Sequence, residues 1–311
     1  MNTFAASDTA AWPTLDYAQW APTKKTEQMC AQMLGKLRLA LTPPQPEWLH
    51  ASLQLDPRGF TTGPMPVGSL VLSATLDVFD AGLVLRLSDG REKRVAIGPA
   101  RCVADIWAEF SSALAELGVD ADLWTKPQEL TDTTPFSQNT HDCVFVAEDA
   151  QRHHRLLTTL DGIFEEFRSP FFGRSAITFW WGAFDFAVLL FNGEHAPAPD
   201  DKGYIMRYDL DAVHLNAGFW PGDDSAPSPG FYAYLSPQPV GCATAPVGPE
   251  GAGWVESMGE WMLSYEAVQA SPDPAGAVRE FLRSVYGVAT TIGGWDAQKL
   301  RYTLPAPSAR R

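Results

Sequence analysis

Four stretches repeat apolar residues every three to four positions, the spacing that gathers them on one helical face. The first is expected over residues 26–41, where Cys30, Met33, Leu34, Leu37 and Leu41 form the stripe and Pro43-Pro44 stops it. The second, over 102–117, has the cleanest stripe: Val103, Ile106, Trp107, Phe110, Leu114 and Leu117. A third starts near Asp149 as N-cap and buries Leu156, Leu160, Ile163, Phe164 and Phe167. The fourth opens with Asp273 as N-cap and Pro274 in its first turn, and Gly293-Gly294 ends it.

Between the helices the pattern shortens to alternation. Residues 48–55 place Leu49, Ala51, Leu53 and Leu55 on one side and Trp48, His50, Ser52 and Gln54 on the other, as a strand does. Further strands are expected at 69–79, 83–87 and 93–97, with Asp80-Ala81-Gly82 and Asp89-Gly90 as turns of an antiparallel meander. Later strands are expected at 177–191, 211–220, 231–235 and 259–263. In the long 177–191 run, Trp180, Phe184, Phe186 and Val188 would face the core, with Trp181, Ala183, Asp185 and Ala187 opposite.

The order helix, strands, helix occurs twice, which predicts an α+β fold of antiparallel sheets with four main helices. It leaves open two similar lobes: an N-terminal extension 1–23, a first lobe 24–118, a connector 119–148, a second lobe 149–296 and a flexible tail 297–311. Pro and Gly concentrate in three loops between Gly193 and Gly253.

Composition narrows the partners. The chain sets 23 Lys and Arg against 37 Asp and Glu, a net charge of −14, and no basic run exceeds a pair. Nucleic acid and anionic membrane surfaces need clustered positive charge, so neither is an expected partner. The 13-residue apolar run 179–191 is broken by Asp185 and is too short for a bilayer span. Cys30, Cys102, Cys143 and Cys242 form no C-x-x-C pair, and the opening residues carry neither a basic leader nor an apolar core. A cytoplasmic protein with free thiols is the expectation.

The segments Leu34-Gly-Lys-Leu-Arg-Leu-Ala-Leu-Thr-Pro and Arg58-Gly-Phe-Thr-Thr are followed by Phe164-Glu-Glu-Phe-Arg and Phe179-Trp-Trp-Gly-Ala-Phe-Asp-Phe-Ala. Ala217-Gly-Phe-Trp-Pro-Gly, Phe231-Tyr-Ala-Tyr and Gly294-Trp-Asp complete the series. Together they resemble the bacterial family catalogued as domain of unknown function 5996, from about residue 12 to 296. The resemblance implies no established reaction. It implies histidines where this chain has Gln28, Pro46-Glu47, Thr178 and Asp211-Ala-Val, while His50 is kept, so a family site built on them would be largely lost here.

The candidate chemistry is sparse. No nucleophile elbow, zinc-protease helix motif or dinucleotide loop is present, and Gly35-Lys36 lacks the rest of a phosphate loop. Asp, His and Cys lack ligand spacing, so no metal or cofactor is expected. Asp185, between Phe184 and Phe186, is the outstanding residue: a carboxylate in an apolar strand needs donors, a cation or a ligand. An Arg such as Arg168 would be an ordinary partner. Lys36 and Arg38 read either as an exposed helix flank or as a grip on an anionic group. His50 and His214 are candidate polar contacts, with Trp181 and Trp220 as aromatic walls. His153 and His154 are expected in solvent, and Asp209 and Asp211 on one strand face.

These features favour a small-molecule binding protein for a polar or anionic metabolite. The alternatives are an enzyme with Asp185 or His50 as acid/base, and a protein-interaction module using the Pro-rich loops. Oligomeric state is not legible in the sequence.

Overall fold

The computed structural model describes residues 11–98, 100–201 and 203–303. Six short strands form the first sheet: β1 (Gln54–Asp56), β2 (Gly59–Thr61), β3 (Met65–Val67), β4 (Leu70–Asp77), β5 (Gly82–Leu87) and β6 (Glu92–Ala96). Their order is β1-β2-β4-β5-β6, with β3 also on β4, and every pairing is antiparallel. The second sheet contains β7 (Arg174–Trp180), β8 (Asp185–His195), β9 (Ala212–Trp220), β10 (Gly230–Ser236), β11 (Gly253–Val255) and β12 (Glu260–Ser264). Its order is β11-β12-β10-β9-β8-β7, again antiparallel throughout. The sheets meet where Leu53 and Phe179 exchange two backbone hydrogen bonds of 2.9 and 2.8 Å.

Four helices carry the core: α1 (Tyr17–Leu41), α2 (Val103–Glu116), α3 (Ala147–Arg168) and α6 (Pro274–Thr291). Two six-residue helices, α4 (Tyr204–Asp209) and α5 (Tyr265–Ala270), are smaller. The α+β expectation of antiparallel sheets and four main helices therefore holds. Register explains the burial. Leu72, Ala74 and Leu76 of β4 face Leu87, Leu85 and Leu83 of β5, and this side lies under α1 and α2. In the second sheet Phe186, Val188 and Leu190 share a face with Ala217, Phe219 and Ala233, under α3 and α6. Among the described residues no long helix covers the opposite face of the second sheet, which carries the candidate site described below.

Several local expectations change. The first helix begins nine residues early, because Asp16 caps it by accepting the Ala18 N–H; Pro22 costs one internal bond without ending it. The third is entered from Val146 rather than capped by Asp149. Residues 48–55 are extended only from Leu53 onward, where the Phe179 bridge and β1 begin. A 3-10 turn at Pro46–Trp48 and bonds from Leu49 N to Pro46 O and Ala51 N to Trp48 O coil the first part of the segment, and pairing starts only with the Leu53 bridge to Phe179 and with β1 at Gln54. The turn buries both sides of the alternation: His50 and Ser52 as well as Ala51 and Leu53.

The run 177–191 is a hairpin, not one strand. Phe184 N bonds Trp180 O at 2.8 Å, Phe184 takes a left-handed φ of 68°, and Trp180 pairs with Asp185. The reversal puts Trp180 on the same side as Asp185, so the expected grouping of Trp180 with the core face is wrong. Asp209 ends α4 instead of lying on a strand beside Asp211. His153 and His154 are buried: His153 packs between Trp20 and Phe184, and His154 reaches Asp56 O at 2.8 Å. No helix among the described residues is long and apolar enough to cross a membrane, and all four cysteines are free. Leu300 and Tyr302 are tied back by bonds to Phe172 N and Pro170 O; residues 304–311 of the expected tail lie outside the described residues.

Candidate functional site

The open face of the second sheet carries a small apolar cluster, Ala187, Leu189 and Phe191, and beside it a group of polar and aromatic residues. Asp185 and Trp180 form one cross-strand pair, and Asn216 and Tyr234 another. Tyr232 sits over Gly218, its register partner, where a Cβ would come within 2.7 Å of the phenol oxygen. Glycine at that place is what lets the phenol reach Asp185. Tyr232 Oη donates to Asp185 Oδ2, and Asn216 Nδ2 donates to Tyr234 Oη at 2.9 Å.

Loops and α4 raise walls around this face to enclose a cavity of about 780 Å3. One wall is the hairpin turn with Trp181 and Gly182. Trp181 Nε1 bonds Ala51 O at 2.8 Å, and its ring lies against Gly35 of α1 so closely that a Cβ there would be 2.1 Å from Nε1. A second wall is the connector at Gln128 and Glu129. Gln32 of α1 clamps Gln128 from both sides, donating to its carbonyl at 2.7 Å and accepting its N–H at 2.9 Å. Gln28, one turn earlier, donates to Gly182 O at 2.6 Å. A polar stripe on α1 thus holds both walls, which is why this helix is buried on two faces. The third wall is α4, seated on Trp48, whose Nε1 donates to Ile205 O at 3.0 Å.

The lining is aromatic and acidic. Trp48, Trp180, Trp181, Tyr232 and Tyr234 supply rings, and Trp124 and Tyr204 stand exposed at the edge. Three carboxylates face the space: Asp185, Glu129 and Asp209. Among the described residues, no Lys, Arg or His belongs to the lining. Burial pushes the Asp185 carboxyl up to about 7, against the lowering effect of the Tyr232 bond. Burial raises Asp209 to about 7 as well, helped by the negative field of Glu129, Glu47 and Asp211. Glu129 is an exposed residue, but its carboxylate is packed against Gly182, where a Cβ would be 2.3 Å from Oε2, and burial of that group raises it too. Within the lining, the buried Oδ1 of Asn216 has no hydrogen-bond partner among the described residues.

Backbone strain collects here. Six non-glycine residues among those described have positive φ, and Trp48 at 53°, Glu129 at 58° and Phe184 at 68° all belong to the walls. A bulky residue in that region costs of order 1–3 kcal/mol and persists only when its surroundings hold it.

Of the residues singled out in the sequence, Asp185 and Trp181 line the cavity. Trp220 supports it from behind, donating to Ala183 O at 3.2 Å. Lys36 is buried outside the wall, its Nζ 5.2 Å from the Trp181 ring centre and 3.5 Å from Gln128 Oε1, and burial lowers its pKa to about 8. Arg38 spends its donors on the carbonyls of His50 and Thr62. The His50 ring accepts the Gln45 N–H at 3.0 Å and so holds the 46–48 turn. His214 is buried with Nδ1 3.0 Å from Ala212 O and its ring beside Phe191 and Tyr234. Arg168 is at the surface, paired with Glu165, and Tyr232 takes the place expected of an arginine beside Asp185.

Sequence reasoning missed Tyr232, Tyr234, Asn216, Glu129 and Asp209. Phe231-Tyr-Ala-Tyr-Leu did carry a signal, since both phenols fall on one face of an otherwise apolar strand. Among the described residues, no three His, Cys, Asp or Glu side chains converge to hold a metal.

Comparison with known proteins gives one match. The model of a family of unknown function, DUF5996, covers residues 12–302, so the chain belongs to that family. No curated protein and no solved structure matches it.

Proposed function

We propose that this member of DUF5996 binds a small protonated amine carrying an apolar, flat body. The observation that carries the reading is the pairing of three carboxylates with an aromatic lining that holds no cationic side chain among the described residues. A carboxylate taken from water is costly until a cation meets it, and Asp185, Asp209 and Glu129 all wait for one. An ammonium group supplies that charge. Its N–H groups also fit the spare acceptor at Asn216 Oδ1, which a quaternary ammonium could not use. Trp and Tyr faces attract cations and stack against flat apolar bodies. A cavity of about 780 Å3 is of a size to take a metabolite of that kind.

An anionic ligand fits poorly, because Arg38, Arg168 and Lys36 do not reach the lining. A catalytic reading would use Asp185, near neutrality, as a general base. It leaves Asp209 and Glu129 without a task, whereas amine binding employs all three.

Calorimetric titration tests the proposal. Phenethylamine or tryptamine should bind one to one, and their carboxylate counterparts, 3-phenylpropionate and indole-3-propionate, should not. Asp185→Asn should weaken the amine at least about tenfold. Equal binding of amines and carboxylates would refute it.

A further inference from the structure

A second cavity, of about 510 Å3, lies on the helix side of the same sheet, between α3 and α6. Its floor is apolar: Ile163 and Phe167 from α3, Leu190 from β8, and Tyr286 from α6. Phe171 closes one side, its ring edge-on to Tyr286 at 6.3 Å. The chain after α6 closes the end, held by Phe172 N to Leu300 O at 2.8 Å.

The mouth differs from the rest of this acidic molecule. Arg279 and Arg283, one helical turn apart on α6, and Arg301 all border it. Among the described residues, Glu166 is the one carboxylate in the lining; it pairs with Arg279 at 2.9 Å and lies 3.9 Å from Arg283. Arg301 has no ion-pair partner among the described residues, and Arg283 keeps 69% of its side chain exposed. Three guanidinium groups against one carboxylate leave positive charge at the opening of an apolar cleft, on a chain whose net charge is −14.

We infer that this cleft binds an amphipathic anion: an acyl or aryl chain that ends in a carboxylate or phosphate. The tail would lie on Leu190, Phe167 and Tyr286, removing apolar surface from water. The head would take the forked donors of Arg283 and Arg301, a geometry that suits planar carboxylate and phosphate oxygens alike. This inference is independent of amine binding, because the two cavities open on opposite faces of the sheet and share no lining residue.

The test uses the full chain with decanoate, decyl phosphate and decylammonium, each below its micellar concentration, in a calorimeter. At least one anion should bind with a stoichiometry of one. Decylammonium competed against it should fail to displace it. The double variant Arg283→Gln/Arg301→Gln, two surface changes, should weaken the anion about tenfold or more, and added salt should weaken it in the parent. Preference between the two anions identifies the head group. Displacement of the anion by decylammonium, affinity unchanged in the double variant, or no saturable binding of either anion would each overturn the inference.

Discussion

Replacing Asp185 by Asn keeps the side chain's shape and its acceptor for the Tyr232 hydroxyl while removing the ionisable proton. Burial holds this carboxyl at about 7 in the folded protein, against 3.8 as its ordinary value. Between those two pH values the unfolded chain has lost the proton and the folded chain retains it, so stability falls as pH rises. The fall ends above pH 7, where both states are ionised. The gap from 3.8 to about 7, at about 1.4 kcal/mol for each pH unit, amounts to about 4 kcal/mol, absent below pH 4 and complete above pH 7. Asp185→Asn removes that penalty. Urea unfolding of both proteins at pH 5 and pH 8 measures it. The Asp185→Asn variant should gain a few kcal/mol relative to the parent at pH 8, and about 1.5 kcal/mol at pH 5. A variant destabilised equally at both pH values would refute the reasoning, because it would mean that Asp185 is a satisfied structural carboxylate.

Amine affinity should rise from pH 5 to pH 8 and then level, because the ligand binds the ionised carboxyls; titrations at pH 6 in buffers of different ionisation enthalpy should show proton release. In Gly182→Ala the new Cβ would lie 2.3 Å from Glu129 Oε2, so that carboxylate should leave the wall and amine affinity should fall several-fold by titration, with the urea midpoint little changed. Gly35→Ala drives a Cβ into the Trp181 ring and should cost about 1–3 kcal/mol in urea unfolding as well as ligand affinity. Glu27 is buried, with neither carboxylate oxygen bonded among the described residues, and burial raises it to about 8. Glu27→Met should therefore stabilise the protein by about 2–3 kcal/mol at pH 7 and by little at pH 4.5, read from the same unfolding curves.

The elements that the sequence announces are those whose pattern answers to one cause. In α6 an Asp cap, a Pro in the first turn and an unbroken stripe from Val278 to Val288 agree, and the helix lies where they place it. The meander β4-β5-β6 follows from alternation and turn residues in the same way. Where two causes act on one segment, the pattern misleads. Residues 48–55 alternate in sequence, yet a coiled turn buries His50, Ala51, Ser52 and Leu53 in succession, with the Gln45 N–H donating to the His50 ring. The hairpin at Trp180–Asp185 has no Asn-Gly or Asp-Gly to mark it; Phe184 is forced into a left-handed conformation by packing against Phe179 and His153 that only the folded chain creates.

Asp185 is legible in the sequence as a candidate because a carboxylate among phenylalanines is costly in any context. Its companions were not. Glu129 comes from a connector without periodicity, and Asp209 from a six-residue helix hidden in a loop-like stretch. Lys36 and Arg38 read in the sequence as an exposed helix flank or a grip on anions; α1 is instead buried on both flanks, and their donors meet Gln128 Oε1 and the carbonyls of His50 and Thr62.

A crystal structure of the protein with tryptamine bound addresses the central claim most directly. The account predicts the ammonium nitrogen within hydrogen-bond distance of Asp185 and Asn216 Oδ1, and the indole between the rings of the 780 Å3 cavity. Tryptamine seated elsewhere, or its ammonium turned out to solvent with Asp185 untouched, would contradict it.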